Sequence, residues 1–166
     1  MSETMKNLAE AFAGESQANR RYIAFAKQAE KEGFANVARL FRAAAESETV
    51  HALSHLRVMG GVGTTAENLK KAKEGEDYER TEMYPEFIKK AEEEGMPEAA
   101  TSFRWASRAE EAHSQLYQQA IEAVESGRDA DLEALHVCQR CGYTVAGEAP
   151  ERCPVCGASG EFREIE

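Results

Sequence analysis

The sequence predicts a mainly α chain: a four-helix bundle with one long crossover, followed by a small C-terminal metal knot. Three observations carry this. Apolar residues recur at three- and four-residue steps through most of the chain before Gly127. Residues 27–55 align without a gap with residues 89–117, at an offset of 62. All four cysteines lie between positions 138 and 156, and none lies earlier. A chain of 166 residues accommodates one domain of ordinary size and a small appendage, and the division expected is 1–130 for the bundle and 131–166 for the knot.

The first helix is expected over residues 3–32, where Leu8, Phe12, Glu15, Asn19, Tyr22, Ala26 and Ala29 share one stripe, with Gly33 as a left-handed stop. The second runs from about Asn36 to Met59 and ends at Gly60-Gly61. Thr64-Thr-Ala-Glu67 reads as a capping box opening a short helix to about Lys73. The third bundle helix is expected from near Gly75 through Glu76, Glu79, Met83, Phe87 and Ala91 to Gly95, with Pro85 bending it or delaying its start. The fourth begins at Pro97, suited to a first helical turn, and stops at Ser126-Gly127. Short turns at 33–36 and 95–97 make two antiparallel hairpins. The connection between the hairpins, about 15 residues, is long enough to cross a bundle.

The repeat joins these hairpins. Lys27, Ala29, Glu30, Glu32, Gly33, Ala38, Phe41, Arg42, Ala44, Glu48 and His51 all meet identical residues 62 positions on, and Tyr22 and Phe25 meet Tyr84 and Phe87. One mismatch remains. Glu15 aligns with Asp77, whereas helical phase on the Met83–Phe87 stripe prefers Glu76; a one-residue slip in the third helix would reconcile them.

Composition narrows the function classes. The hydrophobic fraction of 42% supports a packed core, while a net charge of −10 disfavours nucleic acid and anionic membrane surfaces. No apolar run approaches the roughly 18 residues of a membrane span, and no signal-peptide core opens the chain. Clustered cysteines read as a metal site in a reducing cytoplasm rather than a disulfide framework.

The candidate chemistry lies in two tetrads, Glu48-Thr-Val-His51 and Glu110-Glu-Ala-His113. Positions i and i+3 share a helix face, so each tetrad can aim a carboxylate and an imidazole at one metal. Both sit on apolar stripes, where an unpaired carboxylate is costly. A single Glu-x-x-His is usually a solvated face; two in register point to a dinuclear carboxylate site. Glu15 joins them from the stripe of the first helix, and Glu76 and Glu79 from the third, although either of that pair could be surface charge. Glu82, Glu46 and Glu111 are expected to point away, and His55 to lie at the edge. Five carboxylates and two imidazoles suit Fe or Mn better than structural zinc. Tyr22 and Tyr84 are core aromatics that could also hydrogen-bond ligand carboxylates.

Cys138-Gln-Arg-Cys141-Gly and Cys153-Pro-Val-Cys156-Gly form two loops able to place four thiolates on one metal. Tetrahedral sulfur suits zinc and iron alike, so a structural zinc ribbon is the competing reading; the neighbouring redox-capable site favours iron.

The stretch Ala13-Gly-Glu15-Ser-Gln-Ala, the run Gly75-Glu-Asp-Tyr-Glu79-Arg-Thr-Glu-Met-Tyr84-Pro, both tetrads and the paired Cys-x-x-Cys loops resemble rubrerythrin over nearly the whole chain. The resemblance implies a ferritin-like bundle with a non-haem di-iron centre and a rubredoxin-like Fe(Cys)4 domain. It implies Glu15, Glu48, Glu76, Glu79, Glu110 and His113 as iron ligands, with Glu48 and Glu110 bridging. His51 would exchange with Glu79 as one iron changes redox state, and Glu79, His51, Tyr22 and Tyr84 would be the catalytic groups. The implied activity is reduction of hydrogen peroxide to water in oxidative stress defence, with a rubredoxin or its reductase as electron donor and a head-to-tail homodimer as the assembly. Ferritin-type iron oxidation and storage is the alternative; a binding module with purely structural metals is a third.

Overall fold

The computed structural model describes residues 2–165 and forms two compact units, one ending at Gly63 and one beginning at Thr64. The first unit is a helical hairpin. Helix α1, Glu3–Lys31, starts where the Ser2 side chain accepts the Met5 N–H. Gly33 takes a φ of +84° while the Phe34 N–H returns to the Ala29 carbonyl, closing the helix. Helix α2, Ala35–Val58, then packs antiparallel through Ala26, Ala29, Ala38, Ala45 and Ala52, all buried. Small residues at the seam let the two backbones approach closely. The one buried amide there, Asn19, donates to the Ala45 carbonyl at 2.7 Å and to Thr49 Oγ1 at 2.8 Å, so its burial leaves no donor unpaired.

The second unit repeats the hairpin and adds the knot. Helix α3, Thr65–Tyr78, opens with the expected capping box between Thr64 and Glu67. A π-helical segment, Glu79–Met83, joins it to α4, Tyr84–Glu93; Gly95, at φ +68°, turns the chain into α5, Pro97–Glu125. The seam is again alanine-rich, with Ala91, Ala100, Ala109 and Ala120 buried. The duplication extends to side-chain geometry. Tyr22, Phe25 and Phe41 form a ring cluster that Tyr84, Phe87 and Phe103 repeat, each with its two phenylalanine centroids 5.6 Å apart. Arg42 bonds Glu30 across the first hairpin as Arg104 bonds Glu92 across the second.

Two expectations are corrected. The short helix expected to end near Lys73 and the third bundle helix expected to begin near Gly75 are one helix, because Gly75 carries no helix-ending left-handed φ and the chain passes through it in α conformation. Residues 59–64 alone therefore join α2 to α3. Pro85 neither bends nor delays the helix: it falls in the first turn of α4, just past the π segment, where its missing N–H costs least. That π segment supplies the one-residue slip. It inserts one residue into the turn, so the offset is 61 before it, matching Glu76 to Glu15, and 62 after it.

The knot is a three-stranded antiparallel sheet in the order β2-β1-β3, from Leu135–Cys138, Thr144–Ala146 and Phe162–Ile165. Its small core gathers Cys138, Cys153 and Ala158, with Tyr143, Val155 and Phe162 against them. Among the described residues no helix is long and apolar enough to cross a membrane.

Candidate metal centres

Each hairpin brings three donors together. In the first, His51 Nδ1 lies 2.9 Å from Glu48 Oε2 and 3.9 Å from Glu15 Oε1. In the second, His113 Nδ1 lies 2.7 Å from Glu110 Oε2 and 3.6 Å from Glu76 Oε1. Within each triad one ligand atom from every residue falls within 4.8 Å of the others. The i, i+3 spacing on α2 and α5 makes one pair of each triad, and α1 or α3 supplies the third group across the seam.

The electrostatics of the second triad call for a cation. Burial, then the hydrogen bond to Glu110 and its charge, push Glu76 up to about 7. Burial acts in the same direction on Glu110, but hydrogen bonds from His113 and Glu76 outweigh it and hold that carboxyl below its usual range. Glu79 is raised by burial and by the Glu110 charge. His113 is raised chiefly by its bond to Glu110, against its own burial. Glu76, Glu110 and His113 thus share protons that a metal would replace, with Glu79 outside the triad, and the oxygen-rich donor set fits iron. Asp77, the rival to Glu76, is turned elsewhere: it accepts from Lys73 at 2.6 Å and from Ser114 Oγ at 2.7 Å. Glu82 and Glu46 are exposed, and Glu111 bonds Arg108 at 2.7 Å.

The four cysteines are free thiols. Cys138 Sγ lies 3.7 Å from Cys156 Sγ, and Cys141 Sγ lies 3.6 Å from Cys153 Sγ. A tetrahedron of sulfurs on bonds of about 2.3 Å has edges of roughly 3.75 Å, so the cradle is already of metal-binding size. The two loops are built alike. Gly142 and Gly157, both at positive φ, return their N–H groups to the Cys138 and Cys153 carbonyls at 2.9 Å. Backbone amides aim at the sulfurs as well: burial opposes it, but the N–H groups of Cys156 and Val155 help bring Cys153 down to about 7. Burial dominates at Cys141 and raises it, against the amide of Tyr143.

Residues 1–63 aside, the knot meets its own helical unit. Thr144 Oγ1 lies 2.9 Å from His113 Nε2, and the Arg140 guanidinium stacks over Trp105, 5.3 Å from the ring centroid. The segment after Gly127 doubles back along α5 and delivers β2 to His113.

Comparison with known proteins agrees with this geometry. The rubrerythrin family model matches residues 6–121, and the model of the rubrerythrin rubredoxin-like domain matches residues 136–163. The chain belongs to the rubrerythrin family. It is 39% identical to a rubrerythrin of Porphyromonas gingivalis, over 93% of this chain and 86% of that protein. It is 37% identical to a rubrerythrin of Nitratidesulfovibrio vulgaris, over 93% and 90%. Among solved structures, nigerythrin in a mixed-valence state matches with a TM-score of 0.56 and 34% identity, covering 99% of this chain and 88% of that one. The cofactors of this rubrerythrin are accordingly a di-iron centre with carboxylate and histidine ligands and an iron in the four-cysteine site.

Sequence reading overlooked two groups at the second triad. Tyr117 is raised by burial and by the charges of Glu76 and Glu110; it stands four residues after His113 and repeats the position of His55, so the offset of 62 contained the signal. Thr144 carried none, because only the fold brings a knot strand to α5.

Proposed function

We propose that the chain reduces hydrogen peroxide to water, with Glu15, Glu48, His51, Glu76, Glu79, Glu110 and His113 holding the iron pair and Cys138, Cys141, Cys153 and Cys156 the single iron. The observation that carries this reading is the Thr144–His113 hydrogen bond, which links a four-thiol cradle to a ligand of the carboxylate centre. Bound there, a ferrous pair would supply two electrons to the O–O bond, which with two protons yields two waters.

The chain's own groups position and protonate. Thr144 Oγ1 is 3.3 Å from the Gly142 carbonyl, to which it donates, leaving its oxygen to accept from His113 Nε2–H. That fixes the tautomer with Nδ1 free to ligate. The same bonds form a short covalent and hydrogen-bonded path from Cys141 through Gly142 to the imidazole. His51, with 51% of its side chain exposed against 30% for His113, would be the imidazole that alternates with Glu79. Tyr84, raised by burial and then by the charge of Glu79, keeps its phenolic proton and can donate it beside that carboxylate. Tyr22 occupies the matching place in the first hairpin. The proposed functional division is 1–130 for the di-iron bundle and 131–166 for the relay. A rubredoxin or its reductase would be the electron donor, and four unpaired thiols suit a reducing cytoplasm.

The test is rapid mixing of fully reduced protein with peroxide, followed by a rubredoxin-type donor. The reading expects two electrons consumed per peroxide at the helical centre, water as the product, and re-reduction through the knot. Reduced protein left unoxidised by peroxide would refute it.

A further inference from the structure

We infer that Asp77 and Ser114 are positioning residues. They form a clasp across the α3–α5 seam that holds Glu76 and His113 in metal-binding geometry before any metal arrives. The half-site they back is the first to take a ferrous ion, and the half-site of Glu15 and His51 is the second. This rests on the proposed ligand set.

The clasp joins the chain neighbours of two ligands. Asp77 follows Glu76 on α3, and Ser114 follows His113 on α5. Ser114, which is buried, donates from Oγ to Asp77 Oδ1 at 2.7 Å. Lys73 Nζ donates to the other oxygen of that carboxylate at 2.6 Å, and the Arg80 guanidinium stands 3.7 Å from Oδ1. Both Asp77 oxygens are thus held, one across the seam and one along α3. A ring closes through two peptide links, the Ser114–Asp77 bond and the 3.6 Å approach of Glu76 to His113. Successive residues on a helix point about 100° apart, so the clasp backs the two ligands from the edge of the seam. Rolling or sliding either helix would part Glu76 from His113, and it would first have to break a hydrogen bond to a charged acceptor.

The first hairpin carries the matching ligands but other residues at the clasp. By the offsets of 61 before the π segment and 62 after it, Ser16 stands for Asp77, Ala52 for Ser114, Phe12 for Lys73 and Asn19 for Arg80. The Ser16 hydroxyl donates to the Phe12 carbonyl of its own helix at 2.7 Å, and an alanine side chain has nothing to offer it. The cross-seam bonds of this hairpin run from Asn19 to the Ala45 carbonyl and to Thr49. They tie the turn that carries Glu48, rather than the residues next to Glu15 and His51. The groove beside them, lined by Ser16, Asn19 and Leu53, reaches Glu48; the matching groove of the second hairpin is walled by Lys73, Asp77 and Arg80. The ligands differ accordingly. Glu15 and His51 stand 3.9 Å apart and are 31% and 51% exposed, against 3.6 Å, 19% and 30% for Glu76 and His113. A half-site already in place binds a metal without first ordering its side chains, so the clasped half fills before the other.

The test titrates ferrous ion, without oxygen, into full-length protein whose knot already holds iron and whose helices hold none, following the heat of binding. Wild type should take one ion tightly and a second more weakly; Glu76→Ala should abolish the tight step and Glu15→Ala the weak one. Ser114→Ala should loosen the tight step about tenfold, the order expected when an orienting partner of a metal ligand is lost, and leave the weak step unchanged. Two wild-type ions of equal affinity overturn the inference, as does a Ser114→Ala protein that melts lower yet binds both ions as wild type does. Transplanting the clasp covers the case in which Ser114→Ala fails to fold. Ser16→Asp with Ala52→Ser should tighten the weak step about tenfold beyond Ser16→Asp alone, which adds the charge without its partner; no gain over the single variant equally overturns it. A last arm needs no metal. In apoprotein, Ser114→Ala should speed amide hydrogen exchange around Glu76 and His113 about tenfold, as expected for loss of a hydrogen bond to a charged group, and change it little around Glu15 and His51. A uniform change, or none, overturns the clasp. Helices that take up no ferrous ion would sink the ligand reading instead, and the exchange rates would still decide the clasp.

Discussion

At the scale of single residues, the hydrogen bond between Thr144 and His113 is the most informative contact, because it joins two sites that the sequence places 31 positions apart. Thr144→Val keeps the shape and removes the hydroxyl. Donor-driven reduction of the helical iron should slow by about tenfold, the order expected when one orienting hydrogen bond to a metal ligand is lost, while bound iron and the oxidation by peroxide change little. Stopped-flow spectroscopy separates the two half-reactions, and Thr144→Ser should behave as wild type. A second residue-scale prediction concerns the metal-free protein. Glu76 is raised to about 7 and His113 is also raised, so both groups bind protons more tightly folded than unfolded. Their stabilising contribution is full below the unfolded pKa and is lost as pH rises through the folded one. Apoprotein should therefore unfold at a lower temperature at pH 7.5 than at pH 5, and Glu76→Gln should flatten part of that slope. Glu110, which is lowered, acts with the opposite sign only as the solution becomes more acidic than this window, and Cys153, brought down to about 7, opposes within it but lies in the knot, so the melting is followed by the helical signal. An apoprotein that melts higher at pH 7.5 would contradict the assignment.

At the scale of elements, the π segment Glu79–Met83 distinguishes two otherwise matching hairpins. An extra residue in a helix costs hydrogen-bond geometry, and such segments persist where they place a functional group. Here it keeps Glu76 in the register of Glu15 and gives Glu79 a direction that no residue of α1 shares. Deleting the exposed Glu82 should convert the segment to α-helix with seven residues from Glu76 to Tyr84, the spacing of Glu15 to Tyr22. The variant should keep its helical circular dichroism and most of its iron, yet lose turnover by at least about tenfold, as expected when a group acting at the reaction centre is misaimed. Full activity in the deletion variant would show that Glu79 needs no special placement.

At the scale of the whole molecule, the knot has its own sheet and its own small core, so it should respond to damage separately from the helices. Cys138→Ala removes a buried thiolate from the four-sulfur cradle. The visible absorption of the iron–sulfur chromophore should disappear while far-ultraviolet helicity and thermal unfolding of the helices stay nearly unchanged. Simultaneous collapse of the helical signal would mean that the contacts of Thr144 and Arg140 with α5 hold the helices together.

Much of this protein is written in local patterns. The hairpin turns at Gly33 and Gly95, the capping box at Thr64, both Glu-x-x-His tetrads and the cysteine loops depend on residues within a few positions of one another, so spacing alone determines them. The duplication determines more, since an offset of 62 carries ring clusters, ion pairs and the Glu-x-x-His pairs from one hairpin to the other. Three features required tertiary structure. Gly75 is a poor helix former, yet it stays helical because the capped turn before it and the packing of α3 on α5 outweigh a propensity cost of about 1 kcal/mol. The choice of Glu76 over Asp77 depends on Lys73 and Ser114 drawing Asp77 away and on one residue absorbed by the π segment. The meeting of Thr144 with His113 depends on a chain reversal after Gly127 that no periodic pattern encodes, because a polar linker carries no apolar face to say where it must lie.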